Sequence, residues 1–131
     1  MIVPNLYVAD VASSVAFYQR LGFRLTMSVS ADQSFSADTL VDATVFAQMK
    51  WGEAEIMLQS ADSLSEELPS QSGAAPSGTI YLRGYHPDEA PDGLTVIKPV
   101  ATTWYGMREI YVSDPDGHIL CLGAPDGPPP A

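Results

Sequence analysis

Few residues in this chain have the side-chain type and the sequence spacing that catalysis requires. Cys121 is the one cysteine; it has no base nearby, and a thiol at its ordinary pKa of about 8.5 is a poor nucleophile. His86 stands in an acidic loop and is predicted to be solvated, whereas His118 follows a tight turn and begins a strand. No Ser/His/Asp or Cys/His arrangement follows from the spacing. Glu109 is therefore the best general acid or base if the chain is an enzyme.

Three further features have a structural and a functional interpretation. Glu109 could instead form an ion pair with Arg83 or Arg108. The acids of Asp114-Pro115-Asp116-Gly117 resemble a catalytic pair, but the segment is a strong tight-turn signal. Trp104-Tyr105-Gly106 could clamp a ligand or fix a loop by aromatic packing. Of these, the aromatic segment is the one that favours a binding function.

Composition limits the class of partner. The 131 residues suffice for a real core, and 46% apolar with 17% charged residues is typical of a folded globule. A formal net charge of −10, from 16 acids against 6 bases, repels phosphate backbones and anionic lipids, so no nucleic-acid or membrane partner is expected. A lone Cys121 and the lack of a signal-peptide pattern at the first residues predict a cytoplasmic protein.

The first half of the chain predicts one helix among four strands. Asp10 precedes apolar residues at helical spacing, and Gly22 is suited to end that helix. The segment 30–42 is polar and weakly patterned, and it is predicted as a loop, with a short helical turn within it as the alternative. The predicted strands are 3–8, 23–29, 44–50 and 53–59, and the predicted helix is 11–21.

The second half repeats this order with a much shorter connection. Strands are predicted at 79–83, 94–100, 108–113 and 118–122, with 84–93 too short and too rich in Pro and Asp for a full helix. The expected organisation is a single domain over 1–124, composed of module one (1–60), a Ser/Ala/Gly/Pro-rich linker (61–77) and module two (78–124). A Pro-rich tail, 125–131, is expected to be frayed.

Motifs at both ends of the chain resemble a known superfamily. Pro4-Asn5-Leu6-Tyr7-Val8-Ala9-Asp10 with Phe17-Tyr18-Gln19-Arg20-Leu21-Gly22-Phe23, and Trp104-Tyr105-Gly106-Met107-Arg108-Glu109 leading to Asp114-Pro115-Asp116-Gly117-His118, are similar to vicinal oxygen chelate proteins. That superfamily includes glyoxalase I, extradiol dioxygenases and bleomycin-resistance proteins. The resemblance implies an α+β fold of paired βαβββ modules with curled mixed sheets around a cleft, the second module here having a shortened or missing helix.

The resemblance also implies where a metal would be held. Metal-dependent members take ligands from the first and last strand of each module, and those positions here are Val3, Met57, Thr79 and Cys121. Divalent metals at such sites need imidazole or carboxylate donors. No metal centre of the family kind and no other cofactor is therefore expected.

Strand alternation from those positions predicts which residues face the implied cleft, because residues two apart share a face. The opposite set is almost purely apolar, as a face packed under helices should be. Aromatic and scattered polar groups on the cleft side are typical of a small-molecule pocket. The predicted ligand-binding residues are Tyr7, Phe46, Gln48, Glu55, Met57, Tyr81, Arg83, Trp104, Tyr105, Glu109, Tyr111 and Cys121.

The predicted function is sequestration of an aromatic, cationic antibiotic or related natural product by a metal-free homodimer, as the resemblance to bleomycin-resistance proteins implies. Glu55 and Glu109 with the aromatic faces would attract the cation. The alternatives are a metalloenzyme of the glyoxalase, dioxygenase or thiol-transferase kind, a metal-free lyase or isomerase using Glu109 or Tyr111, and a member with an unrelated ligand.

Overall fold

The computed structural model describes residues 1–71, 73 and 75–127, which form two compact units, Met1–Ala74 and Ala75–Ala131. Each unit contains one mixed sheet. In the first unit the strands are β1 (Asn5–Val8), β2 (Arg24–Ser30), β3 (Phe35–Ala37), β4 (Thr44–Trp51) and β5 (Ala54–Ser60). They are ordered β1-β5-β4-β2-β3, with β1 parallel to β5 and the other pairs antiparallel.

Helix α1 (Val11–Leu21) covers the apolar face of the first sheet. Val11, Val15 and Tyr18 recur at helical spacing and are all buried, which explains why this segment is helical and which side it packs. Gly22 ends the helix in the left-handed conformation, at φ 106°, where its N–H bonds the carbonyl of Gln19 at 3.0 Å. The helix was predicted with these bounds, and the prediction is confirmed.

The second unit contains β6 (Thr79–Arg83), β7 (Thr95–Thr102), β8 (Met107–Ser113) and β9 (Ile119–Pro125). Their order is β6-β9-β8-β7, with β6 parallel to β9 and the other pairs antiparallel. Between β6 and β7 the chain forms one short 3₁₀ turn, Pro87–Glu89, in place of a helix. The α+β class, the paired modules and the shortened connection in the second module are therefore as predicted.

The turn between β8 and β9 is structural. The buried Asp114 carboxylate accepts hydrogen bonds from the N–H groups of Asp116 at 2.9 Å and His118 at 2.8 Å. These bonds fix the tight turn that the sequence predicts.

Two segments differ from their sequence-based description. The predicted loop 30–42 contains β3, an edge strand of three residues that is too short to show an alternation, so the loop prediction was wrong there. The predicted linker 61–77 begins with helix α2 (Ala61–Glu67), capped by Ser60, followed by a 3₁₀ turn at Pro69–Gln71. No residue of α2 is buried, so an apolar period was not available to reveal it.

The second unit corrects two further predictions. His86 is 4% exposed rather than solvated, because its Nε2–H donates to the Gly127 carbonyl at 2.5 Å and its Nδ1 accepts from the Asp88 N–H at 3.3 Å. Arg108 pairs with Asp88 at 3.1 Å rather than with Glu109. Of the predicted tail, Pro125 belongs to β9 and Gly127 is held by His86, whereas residues 128–131 lie outside the described residues.

None of the helices formed by the described residues is long and apolar enough to cross a membrane.

Candidate functional site

The four strands of the second unit bring one set of polar and aromatic side chains to a single face. The register aligns Tyr81, Cys121, Tyr111 and Lys98 in one row across the sheet. The next row contains Arg83, Gly123, Glu109 and Ala101. We call these two rows the second-unit polar face. The alternate residues Leu82, Val112, Leu120 and Leu122 are buried on the opposite face.

Glu109 is the centre of the second-unit polar face. Its side chain is 5% exposed, and its Oε2 accepts a hydrogen bond from the Tyr81 hydroxyl at 2.6 Å. The Tyr105 hydroxyl donates to the same carboxylate, 2.9 Å from each oxygen. Bonds to a charged acceptor are among the stronger ones in proteins. Two phenols thus hold a buried carboxylate in place, and neither arginine that the sequence offered as its ion-pair partner is needed.

A glycine makes this arrangement possible. Gly123 lies beside Glu109 on the neighbouring strand, and a Cβ at this position would be 2.1 Å from the Tyr81 hydroxyl oxygen and 2.6 Å from Tyr81 Cζ. Tyr81 therefore reaches Glu109 through the space that a side chain at 123 would fill. An isolated glycine inside a strand often marks such a close approach.

The carboxylate also keeps the phenols protonated. Burial, together with the hydrogen bond to Glu109, raises the pKa of Tyr81 well above its usual range. The hydrogen bond to Glu109, with burial second, raises the pKa of Tyr105. Both hydroxyls are therefore donors at neutral pH, and neither is a candidate base.

Cys121 lies between Tyr81 and Tyr111 and is 1% exposed. Burial raises the pKa of its thiol, and the neighbouring Cys121 in turn raises the pKa of the Tyr111 hydroxyl. The Lys98 ammonium lies 5.9 Å from the centre of the Tyr111 ring. A protonated, buried thiol is a poor nucleophile, which agrees with the interpretation of Cys121 from the sequence.

Aromatic surface is exposed at the β7–β8 turn beside Glu109. The Thr103 N–H donates to the Met107 carbonyl at 2.7 Å, which closes a tight turn around Trp104 and Tyr105. Trp104 is 94% exposed and meets the half-exposed Tyr105 ring edge-on, with 5.3 Å between centroids. On the other side of Glu109, the Arg83 guanidinium lies 5.4 Å from the centre of the partly exposed Tyr81 ring.

The remaining predicted site residues lie on one face of the first unit's sheet. The register places Glu55 directly opposite Lys50 on β4. The Tyr7 hydroxyl bonds the Ser65 hydroxyl of α2 at 2.5 Å, and the neighbouring Gln59 is also tied to α2, at Ser63 and Glu67. This face carries Tyr7, Phe46, Gln48, Glu55 and Met57.

The residues at the superfamily's metal positions do not fit a divalent metal. Val3 has no donor, Thr79 has a hydroxyl, Met57 has a thioether, and Cys121 has a buried thiol whose pKa is raised. Within the described ranges 1–71, 73 and 75–127, no group of three or more His, Cys, Asp or Glu side chains could hold a metal ion. We therefore derive no chemistry through a metal in this chain.

Three residues of the second-unit polar face were missed by sequence reasoning: Gly123, Lys98, and Ala101, which lies just beyond the predicted strand 94–100. Gly123 lies just beyond the predicted end of its strand, at residue 122, although a glycine inside the apolar run Leu120–Ala124 was the available signal. Lys98 falls on a predicted strand, but irregular pairing on both sides of it interrupts the alternation that would place it.

Solved structures show what this fold is similar to. No protein-family model matches the chain, and no curated protein sequence matches it significantly. A glyoxalase-related enzyme from Fulvimarina pelagi is 18% identical with a TM-score of 0.69, covering 100% of this chain and 94% of the other. A glyoxalase/bleomycin resistance protein/dioxygenase family enzyme from Burkholderia phytofirmans PsJN is 18% identical with a TM-score of 0.67, covering 93% and 95%.

A bleomycin-binding protein complexed with bleomycin is also similar, at 19% identity and a TM-score of 0.56, covering 96% of this chain and 98% of the other. At such identities the likeness concerns the fold and not the activity. The chain has the fold of the vicinal oxygen chelate superfamily.

Proposed function

We propose that the chain binds a small aromatic molecule at the second-unit polar face and acts by sequestering it. The observation that carries this proposal is the exposure of Trp104, 94%, beside Tyr105 and Tyr81, which are 52% and 38% exposed. Exposed aromatic side chains grouped around a fixed polar centre are typical of binding surfaces. Aromatic rings of a ligand would gain about 0.5–1.5 kcal/mol for each ring pair beyond area burial.

The chemistry of the same face favours binding over conversion of the ligand. Both oxygens of Glu109 accept hydrogen bonds from phenols, and the Cys121 thiol is buried and protonated. A general base needs a lone pair directed at the substrate proton, and a nucleophile needs access to the substrate. Glu109 and Cys121 are 5% and 1% exposed, so in the described structure neither group is presented to a substrate.

The proposed ligand is an antibiotic or related natural product with planar rings. The similarity to a bleomycin-binding protein supports this class without assigning a compound.

We also propose a cytoplasmic homodimer. The edge strand β7 exposes Val96 (47%) and Ile97 (55%), which would be covered in a dimer, and a strictly monomeric sedimentation profile would contradict this part of the proposal.

Calorimetric titration with bleomycin and a panel of planar antibiotics tests the proposal. We expect at least one compound to bind more tightly than about 100 μM, or about −5.5 kcal/mol. Trp104→Ala should weaken that binding. Trp51→Phe is the matched control, because Trp51 packs against Phe23 with 6.3 Å between ring centroids.

Two outcomes contradict sequestration. Binding that is unchanged in Trp104→Ala would remove the proposed site. Recovery of a chemically altered compound, detected by mass spectrometry of the released ligand, would favour an enzyme of this fold instead.

A further inference from the structure

The charged residues of the second-unit polar face indicate which charge the ligand carries. We propose that the aromatic ligand carries an acidic group, bound by one of the two exposed cations of this face, Arg83 or Lys98. This inference rests on the proposed function and names the ligand class for the same site. It differs from the cationic ligand that the sequence predicts from Glu55 and Glu109.

The acids that would attract a cation already have partners. Glu109 is 5% exposed and accepts hydrogen bonds from Tyr81 and Tyr105, so a ligand ammonium could reach it only by displacing a phenol. Glu55 lies directly opposite Lys50 in the first unit. Opposite charges facing each other across strands attract, which reduces the pull of Glu55 on another cation.

The cations of the second-unit polar face are available. Arg83 and Lys98 are both exposed, and within the described part of the chain neither forms an ion pair with a carboxylate. Each is instead placed over a tyrosine ring, Arg83 over Tyr81 at 5.4 Å and Lys98 over Tyr111 at 5.9 Å. A cation over a ring face keeps N–H donors free for an anionic group, and a guanidinium offers a planar pair of them.

The spacing of the two cations suits a small aromatic acid. Arg83 is on β6 and Lys98 on β7, the two edges of the four-stranded sheet. Three strand spacings separate these edges, roughly 14 Å. Tyr81, Cys121 and Tyr111 form a row with Lys98 at one end, and the Arg83 guanidinium lies over the Tyr81 ring at the other, so an acidic group on a ring bound along this row meets one cation and not both.

The net charge of −10 opposes this preference at long range and Glu109 opposes it at short range, but two bases (Arg83, Lys98) against one acid (Glu109) leave the second-unit polar face with a formal charge of +1. At physiological ionic strength the Debye length is about 8 Å, so distant loop acids are largely screened. The cation that binds the acidic group would lie in direct contact with it. Titrations should therefore be made near 0.15 M salt, where contact charges dominate.

Three naphthalenes that differ in charge test the inference. We expect naphthalene-2-carboxylate to bind about tenfold more tightly than 2-naphthylmethylammonium, with 2-naphthylmethanol between them. Arg83→Gln or Lys98→Gln, whichever removes the cation that binds the acidic group, should weaken the carboxylate about three- to tenfold and leave the alcohol unchanged, and loss in neither variant would overturn the inference. Arg20→Gln, in α1 of the first unit, removes the same charge and is the matched control.

The outcomes separate this inference from the proposed function. Equal or tighter binding of the ammonium, or an equal loss in Arg20→Gln, would overturn the acidic-ligand inference. If Trp104→Ala still weakens all three probes, the aromatic site of the proposed function is supported in either case. Failure of all three probes to bind would overturn the acidic-ligand inference alone, whereas the proposed function is overturned only if the antibiotic panel also fails to bind.

Discussion

Replacing Gly123 by alanine tests the arrangement around Glu109. The added Cβ would lie 2.1 Å from the Tyr81 hydroxyl oxygen and 2.6 Å from Cζ, far inside van der Waals contact. The atoms that must retreat belong to a rigid ring attached to β6, not to the end of a flexible chain. The Tyr81 hydroxyl must move by roughly 1 Å or more, which breaks its 2.6 Å bond to Glu109.

Two effects would lower the unfolding free energy of Gly123→Ala, and relieving one of them causes the other. Overpacking costs about 1–3 kcal/mol, and a lost hydrogen bond to a charged group costs about 1.5–3 kcal/mol. Because moving the ring relieves the clash while it breaks the bond, we expect Gly123→Ala to destabilise the chain by about 2 kcal/mol. For a chain of this length, the melting temperature should fall by about 6–10 °C.

Thermal unfolding of four chains measures this effect: the unmodified chain, Gly123→Ala, Tyr81→Ala and the double variant. With Tyr81 removed, the nearest remaining atom to the alanine Cβ at 123 is Glu109 Cγ at 3.2 Å, so the substitution should cost little. The Tyr81 phenol in Gly123→Ala should also titrate closer to its ordinary pKa. An equal cost of the alanine with and without Tyr81 would refute the reasoning.

Three further predictions concern the second unit. Tyr81→Phe should cost about 1–2 kcal/mol and Tyr105→Phe less, because Tyr105 is 52% exposed; equal costs in denaturant unfolding would contradict this ranking. The pKa values of Tyr81, Tyr105 and Tyr111 are raised on folding, so their contribution to stability is complete below about pH 10 and is lost as pH rises through the folded values. The tyrosinate absorbance that is lost in Phe variants of these three residues should therefore appear at high pH together with unfolding, and its appearance at lower pH in the folded chain would contradict the prediction. His86→Ala should cost about 2 kcal/mol in unfolding free energy, whereas a solvated histidine would cost nothing.

Much of the fold could be predicted from local patterns. Apolar spacing and Gly22 give α1 its bounds, and the Asp114–Gly117 turn fixes the last hairpin. The period of two in the strands correctly separates the buried Leu120 and Leu122 from the face of Tyr111. These patterns involve residues that lie close together in the sequence.

The rest depends on contacts between distant residues. β3 and α2 lack an apolar period, and α2 is held by hydrogen bonds such as that between Gln59 and Ser63. The hydrogen bond between Tyr81 and Glu109 joins two residues that are 28 positions apart in the sequence, and it requires Gly123 between them. Strand alternation could place Tyr81 and Glu109 on one face of the sheet. It could not show that the hydroxyls of Tyr81 and Tyr105 both bind the Glu109 carboxylate.

The central claim is that the aromatic residues beside Glu109, namely Tyr81, Trp104 and Tyr105, bind a small molecule. Trp51 and Trp104 are the two tryptophans, so Trp51→Phe leaves Trp104 as the sole indole fluorophore. Titrating this variant with bleomycin and the planar antibiotics should give saturable changes in Trp104 emission at micromolar ligand. Unchanged Trp104 emission across the panel, while Trp104→Phe shows ligand-dependent Trp51 emission, would contradict the claim.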